Sequence, residues 1–434
     1  HNLVIVKVRP VVDMHAVNQL LPECRFSYPS PTDAAALVQP GFAMGKIDWY
    51  KAFNQFPVHE DDAKYMGVVI HGQCYVPKRA LFGGSLFPHY VSTVMAAVVE
   101  IMNAHDIPST AMVDDLFTTG HQGVIADSSS CAGRMDRAAK MMKNMGFKLN
   151  ENKTEGPSQR LAFKGFLIDS VNGTMSIPPD RLAARRLDIQ NCLTQPCWTR
   201  RDAEVMLGHL NWICTVLQAG RPHLARLRQG LNYKLKRHVL QPLSPHQRQE
   251  LDWFATKLRP NGLEGLEAPF WPGGVVPVSA RLWSDASGTE GFGLIIELNG
   301  IHTMYRGKWH PTSELLSEDE TPHSSSYYEL VPVFIAIHLI APRMRKGGVL
   351  VITTDNIGNA FAINKGHCRS SESFELLCHI FSIAETHRVF LVAEWVPREH
   401  NHLLDLLPRR GMETVANLLA QLTKLETDVI KPTK

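Results

Sequence analysis

The chain has 434 residues, 44% of them hydrophobic and 20% charged, with a formal net charge of +3. At roughly 150 residues per domain this is about three domains with ample core, so neither disulfides nor a structural metal is needed for folding. The composition excludes wholesale disorder, a collagen-like repeat and a membrane-embedded protein; no apolar run approaches the roughly 18 residues of a membrane helix, and no signal-peptide pattern stands at the start.

In chain order, Val4–Val12 and Met66–Val76 read as strands, rich in Val, Ile and Tyr. Tyr90–His105 is apolar at helical spacing. Arg134–Met145 reads as an amphipathic helix with Met135, Ala138, Ala139, Met142 and Met145 on one side and Gly146 just past its end. Leu161–Ile168 and Thr174–Ile177 read as a hairpin around Asn172-Gly173, and Ser176–Asp180 marks a change from strand to helical patterning. Residues 181–260 hold fourteen Lys/Arg against five Asp/Glu, so the remainder of the chain is net acidic. A basic middle beside acidic flanks suggests a polyanion tracked by one region and metal-binding carboxylates elsewhere, unless it is merely a solvated helical face. The Pro/Gly-rich stretch 259–278 reads as a linker. Beyond it, Arg281–Trp283, Gly293–Glu297 and Val349–Thr353 read as strands, and Tyr327–Leu339 and Glu375–His387 as helices. The eight cysteines form no C-x-x-C and read as reduced thiols of an intracellular protein, in cytoplasm or nucleus.

Acidic residues stand where strands are expected, in Lys46-Ile47-Asp48-Trp49-Tyr50 and in Met112-Val113-Asp114-Asp115-Leu116. An Asp pair between apolar residues is costly to bury uncompensated, and a divalent cation relieves that cost. A lone Asp-Asp is more often a surface turn. The neighbouring segments change that reading: Val8-Arg9-Pro10-Val11-Val12-Asp13 upstream, then Leu81-Phe82-Gly83-Gly84-Ser85-Leu86-Phe87-Pro88, Gly146-Phe147-Lys148-Leu149-Asn150 through Lys153, and Phe163-Lys164-Gly165-Phe166-Leu167-Ile168-Asp169. In this order they resemble the fingers and palm motifs of reverse transcriptases, over about residues 5–230, and most of all those of DIRS-like, tyrosine-recombinase-associated retrotransposons.

The resemblance implies that Asp48, Asp114 and Asp115 form the polymerase metal triad. It implies that Phe53 excludes a ribose 2′-hydroxyl, that Arg9 clamps the triphosphate, that Phe82 and Gly83 line the templating pocket, and that Lys153 sits near the leaving pyrophosphate. Two positions depart from the family: Met112 stands where Tyr is usual, and Lys51 where many relatives have Asp. In the following Leu-Gly-His-Leu-Asn region, Arg221, Arg226, Arg228, Lys234, Lys236 and Arg237 would meet backbone phosphates of an A-like hybrid duplex.

A second acidic set follows the linker: Asp285 near a strand end, Glu329 at a helix start, Asp355 at another strand end, and Asp405 after Val396-Pro397 and Asn401. Each alone has an ordinary explanation as a turn or helix-start acid. Together they resemble a retroelement RNase H domain, with His400 or His402 as a helper in product release.

The expected fold is therefore α+β and multidomain: a right-hand polymerase followed by an α/β RNase H-like domain with a mixed sheet. Residues 1–180 would be fingers and palm, 181–258 a basic helical thumb or connection, 259–278 a linker, 279–410 the RNase H-like domain and 411–434 a tail. The resemblance implies an RNA- and DNA-directed DNA polymerase with linked RNase H, using two Mg²⁺ per site (Mn²⁺ as substitute). Its partners would be RNA template, DNA primer, RNA–DNA hybrid and dNTPs, without a membrane. The other expectation is a domesticated, catalytically weakened nucleic-acid-binding scaffold. An opening His1 rather than Met suggests a fragment or processed product.

Overall fold

The computed structural model describes residues 12–22, 24, 26–123, 127–258, 266–270, 275–287, 291–309 and 324–398. The strand expected at 4–12 therefore lies almost wholly outside the described residues, as do Arg9, His400, His402 and Asp405. The chain is mixed α/β with several sheets and divides into two compact units, residues 1–178 with 269–275, and residues 179–268 with 276–434.

The first unit is built on β1 (Ala43–Trp49), the hairpin β2 (Val68–Ile70) and β3 (Gln73–Tyr75), helix α1 (Phe87–Ala104), β4 (Ser109–Met112), β5 (Asp115–Gly120), helix α2 (Cys131–Asn144) and β6 (Leu149–Ser158). The main sheet runs β4-β5-β1-β6. Six of the seven residues of β1 are buried, although its sequence does not alternate. The reason is that both its faces are covered. On one side Ile47 and Trp49 join Val91, Met95, Val98 and Met102 of α1 and Met135, Ala138 and Met142 of α2. On the other, Phe117 of β5 meets Phe163 with ring centroids 4.9 Å apart. Gly45 permits the close approach of α2, since a Cβ there would lie 2.2 Å from Met135 Sδ.

Helix α2 begins at Ser130, whose hydroxyl accepts from Gly133 N at 3.1 Å, and is followed by Gly146 at φ +93°. Ala139 is half-buried and Met145 exposed, so the apolar face is narrower than the spacing suggests.

Two expected strands are hairpins instead. Residues 66–76 turn at His71-Gly72, both at positive φ, between β2 and β3. Residues 161–168 turn at Lys164-Gly165, φ +51° and +87°, between β7 (Arg160–Phe163) and β8 (Phe166–Asp169). Only the second turn, Asn172-Gly173 before β9 (Thr174–Ser176), matches the sequence reading. A Lys or His in a left-handed turn carries a weaker signal than Asn-Gly, which is why both were read through.

The second unit opens with helices α3 (Pro179–Thr194), α4 (Arg200–Ile213), α5 (Gly220–Gln229) and α6 (Pro245–Lys257). It continues with β10 (Val278–Ser287), β11 (Gly291–Leu298), β12 (Ile301–Gly307), α7 (Ser325–Ile340), β13 (Val349–Thr354), α8 (Ile357–Lys365), α9 (Ser371–Thr386) and β14 (Phe390–Trp395). The sheet order is β12-β11-β10-β13-β14; the first three strands are antiparallel and the last two pairings parallel. β13 is buried throughout, as a central parallel strand should be. Residues 325–343 are long and apolar enough to cross a membrane by length and composition, and half of that stretch is buried. Leu330, Val333, Ile337 and Ile340 of this helix pack with Leu282, Leu294, Leu350 and Ile352 of the sheet in one core.

The basic helices belong to this unit. Gln218 closes the open edge of β14, accepting from Leu391 N at 2.8 Å and donating to Leu391 O at 2.6 Å. Asn364 does the same two residues on, at Ala393 N (2.9 Å) and O (2.8 Å). An open strand edge is thereby capped by side-chain amides.

Candidate active sites

The first centre lies on the main sheet of the first unit. Asp48 is buried on β1 and pairs in register with Asp115 on β5 and with Asn150 on β6. Directly opposed residues of an antiparallel pair hold their Cβ atoms about 5 Å apart, so two carboxylates here repel unless cations intervene. Asp48 is partly neutralised: Lys153 Nζ lies 2.9 Å from Oδ1, and Asn150 Nδ2 donates to Oδ2 at 3.0 Å. Lys153 is held above its ordinary pKa, chiefly by that hydrogen bond. Asp115 is pushed up to about 6, by burial first and then by the charges of Asp114 and Asp48.

Asp114 sits in the two-residue turn between β4 and β5. The turn is strained, because Val113, a β-branched residue, stands at φ +55°. Trp49 N donates to Asp114 O at 2.9 Å and ties the turn to β1. The Gly146-Phe147-Lys148 segment is fixed against the same strand end. Phe147 stacks on Trp49 at 4.1 Å, and the Gln55 amide joins Tyr50 O, Lys148 O and Lys148 N at 2.8–2.9 Å. Gln55 had no assigned role in the sequence reading, and no motif marks it.

Phe53 and Phe82 meet edge to face at 4.8 Å, with Phe82 exposed. Gly83 adopts φ +113°, and a Cβ there would lie 2.7 Å from Val12 O. Asn18 spans this loop, donating to Gly83 O and accepting from Ser85 N, both at 2.8 Å. Met112 ends β4 beside Asp115 in the register.

The second centre lies at one end of the five-stranded sheet. The parallel register ends at Trp283↔Thr353, two residues short of Asp285 and Asp355, and both of these carboxylates act on Glu329. Glu329 approaches from α7 because the two helix starts are tied together. Asn356 caps α8 through Asn359 N at 3.1 Å and donates to Ser326 Oγ at 3.2 Å, while Asn359 Nδ2 donates to Ser326 O at 2.9 Å. Glu329 is pushed up to about 7, by burial first, then by Asp355, with Asp285 adding to it. Its Oε2 is buried without a hydrogen-bond partner. Trp395 Nε1 donates to Asp355 O at 2.9 Å. The signal for Asn356 was present in the sequence: an Asn between a strand and an apolar helical pattern is a helix cap.

Among the described residues, no three His, Cys, Asp or Glu side chains stand together as a metal cage. The donor chemistry fits Mg²⁺ nonetheless, since that ion is usually bound by one or two carboxylates plus waters and substrate phosphates. The unpartnered Glu329 Oε2 and the raised Asp115 both mark an excess of negative charge for a cation to relieve.

The six basic residues separate. Arg221 donates to Asn364 O at 2.6 Å, and Arg226 reaches Glu375 at 2.7 Å and Glu250 at 3.5 Å, so both hold α5 within its unit. Arg237 is exposed but pairs with Glu204 at 2.6 Å. Arg228, Lys234 and Lys236 are exposed.

No family model and no curated protein matches this sequence. Among solved structures the chain is similar to the foamy viral protease-reverse transcriptase in three complexes. With dsDNA the TM-score is 0.48 at 14% identity, covering 89% of this chain and 74% of that one. For the form denoted dRH with ds DNA the TM-score is also 0.48 at 14% identity, and the chain, 89% covered, spans 63% of that one. With RNA/DNA hybrid it is 0.39 at 12% identity, covering 91% and 70%.

Proposed function

We propose that this chain is an RNA- and DNA-directed DNA polymerase with a linked RNase H activity, of the kind carried by DIRS-like retrotransposons. The observation that carries this reading is the in-register opposition of Asp48 and Asp115 with Asp114 in the adjoining turn. Three carboxylates with one lysine and one asparagine between them make a centre for a reaction at phosphate rather than at carbon. Mg²⁺, when bound, would activate the primer 3′-hydroxyl and neutralise charge developing on the phosphates. Asp48, Asp114 and Asp115 would hold it. Lys153, already hydrogen-bonded to Asp48, would supply positive charge and a proton toward the departing pyrophosphate. The Phe53 ring, braced by Phe82, would close the floor beneath the sugar and select deoxyribose by size. Arg9 would contact the triphosphate, and Arg228, Lys234 and Lys236 backbone phosphates.

At the second centre Asp285, Glu329, Asp355 and Asp405 would hold Mg²⁺ for hydrolysis of the RNA strand. Glu329, pushed up to about 7 by burial and its neighbouring acids, would shift to the ionised form on binding a cation. The polymerase product, an RNA–DNA hybrid, is the substrate of the nuclease.

Primer extension on a labelled RNA template with dNTPs and Mg²⁺ tests this, comparing wild type with Asp114→Asn/Asp115→Asn. Loss of extension with template cleavage retained is the expected result. A folded wild type that binds hybrid but neither extends nor cleaves would favour the weakened-scaffold reading.

A further inference from the structure

The second unit contains a cavity of about 590 Å³ that belongs to neither carboxylate centre. It opens at the other end of the five-stranded sheet, between the start of β10, the Asn299-Gly300 turn joining β11 to β12, and the segment Arg343–Arg345 after α7. Ala280 on its wall and Asp285 in the second centre are five residues apart on one strand, about 17 Å at 3.3–3.4 Å per residue.

The walls carry three guanidinium groups, Arg281, Arg343 and Arg345, against one carboxylate, Glu297. Arg281 reaches Glu394 only at 3.9 Å, and Glu297 is 3.9 Å from His302. Arg343 and Arg345 are exposed and have no side-chain hydrogen bond or ion pair among the described residues. Ser279 Oγ accepts from Val349 N at 3.1 Å, which leaves its hydroxyl proton to donate, and the Asn299 amide adds a further donor. Arginines gathered around one hollow give it a surplus of positive charge that an anion offsets, and the guanidinium fork matches phosphate oxygens in pairs. The volume lies in the range of small-molecule sites.

We propose that this cavity binds a phosphate ester of nucleotide size. The ester would be a free nucleotide or one nucleotide of a strand lying across this end of the sheet. Either source presents the same group to the arginines.

Calorimetric titration of the full chain with AMP, and anisotropy with a labelled single-stranded DNA, distinguish the sources. Each is run on wild type and on Arg343→Gln/Arg345→Gln, which alters exposed side chains only. AMP binding weakened about tenfold or more in the variant, a loss equal to one charge-assisted contact, assigns the site to free nucleotide. No AMP binding, with DNA affinity lowered by a similar factor, assigns it to a strand. Asn299→Asp, which keeps the left-handed turn and places a negative charge at the mouth, should weaken the same ligand. Equal affinities in wild type and both variants, or no binding of either ligand by wild type, would overturn the proposal.

Discussion

The two carboxylate centres differ in what offsets their charge. Asp48 has Lys153 and Asn150 within hydrogen-bond distance, so the first centre carries part of its own counter-charge. Glu329 has a buried oxygen without a partner and two neighbouring acids, and its pKa is pushed up to about 7. In the first, a lysine is fixed on one of the carboxylates. In the second, the Arg398 charge only partly offsets burial and the neighbouring acids, and Glu329 stays raised. Both rest on rigid elements: strand register in the first unit, and a helix pair locked through Asn356 and Ser326 in the second.

The sharpest way to break this comparison is to remove one centre and watch the other. Asp114→Asn/Asp115→Asn should lower primer extension by on the order of 10³-fold while cleavage of the RNA strand persists, and Asp355→Asn should do the reverse. Parallel loss in either variant would mean that the centres are not separate.

A smaller effect is expected at Lys153. Lys153→Met leaves the buried Asp48 without its cation and should cost about 1–3 kcal/mol in urea unfolding. Extension should fall as well, with Lys153→Arg restoring stability more fully than rate. A variant as stable and active as wild type would remove Lys153 from the site.

Val113→Gly should relieve the strain at φ +55° but lose a half-buried side chain packed on the core, so stability should change by no more than about 1 kcal/mol. Extension should decline, since the turn that carries Asp114 loosens. Equal activity would show that the strain has no part in placing that carboxylate.

The smallest effect concerns Lys164, pushed down to about 8 by burial. Its folded pKa is below the unfolded value of 10.5, so the folded state disfavours the charged form. The penalty is fully present below pH 8 and fades as pH rises from 8 toward 10.5. Lys164→Met should therefore gain about 1–2 kcal/mol at pH 7, after loss of the bond to Pro29 O, and little at pH 10. A gain independent of pH would point to packing alone.

Much of the framework was legible in the sequence. Helices α1, α2, α7 and α9 follow from 3.6-residue spacing, and β10, β11 and β13 from short apolar runs, because burial of one face imposes those periods. Some signals were present but unread. Asn299-Gly300 lies between two apolar runs at φ +53° and +74°, a strong hairpin sign, yet β12 was missed, and so was the edge strand β14.

The sequence by itself determined the residue types of both centres, because a carboxylate among apolar strand residues is chemically conspicuous wherever the chain runs. Only the tertiary structure decided which groups face one another. Asp48 and Asp115 are 67 positions apart and meet through strand register, and Lys153 reaches Asp48 across 105. The same holds for the basic residues: Arg221 and Arg226 look like their neighbours in sequence, but packing turns them to Asn364, Glu375 and Glu250. The arginines around the 590 Å³ cavity come from two places in the chain, β10 for Arg281 and the segment after α7 for Arg343 and Arg345. Local chemistry is written residue by residue, whereas the partner of each charge is set by long-range packing, which no local pattern encodes.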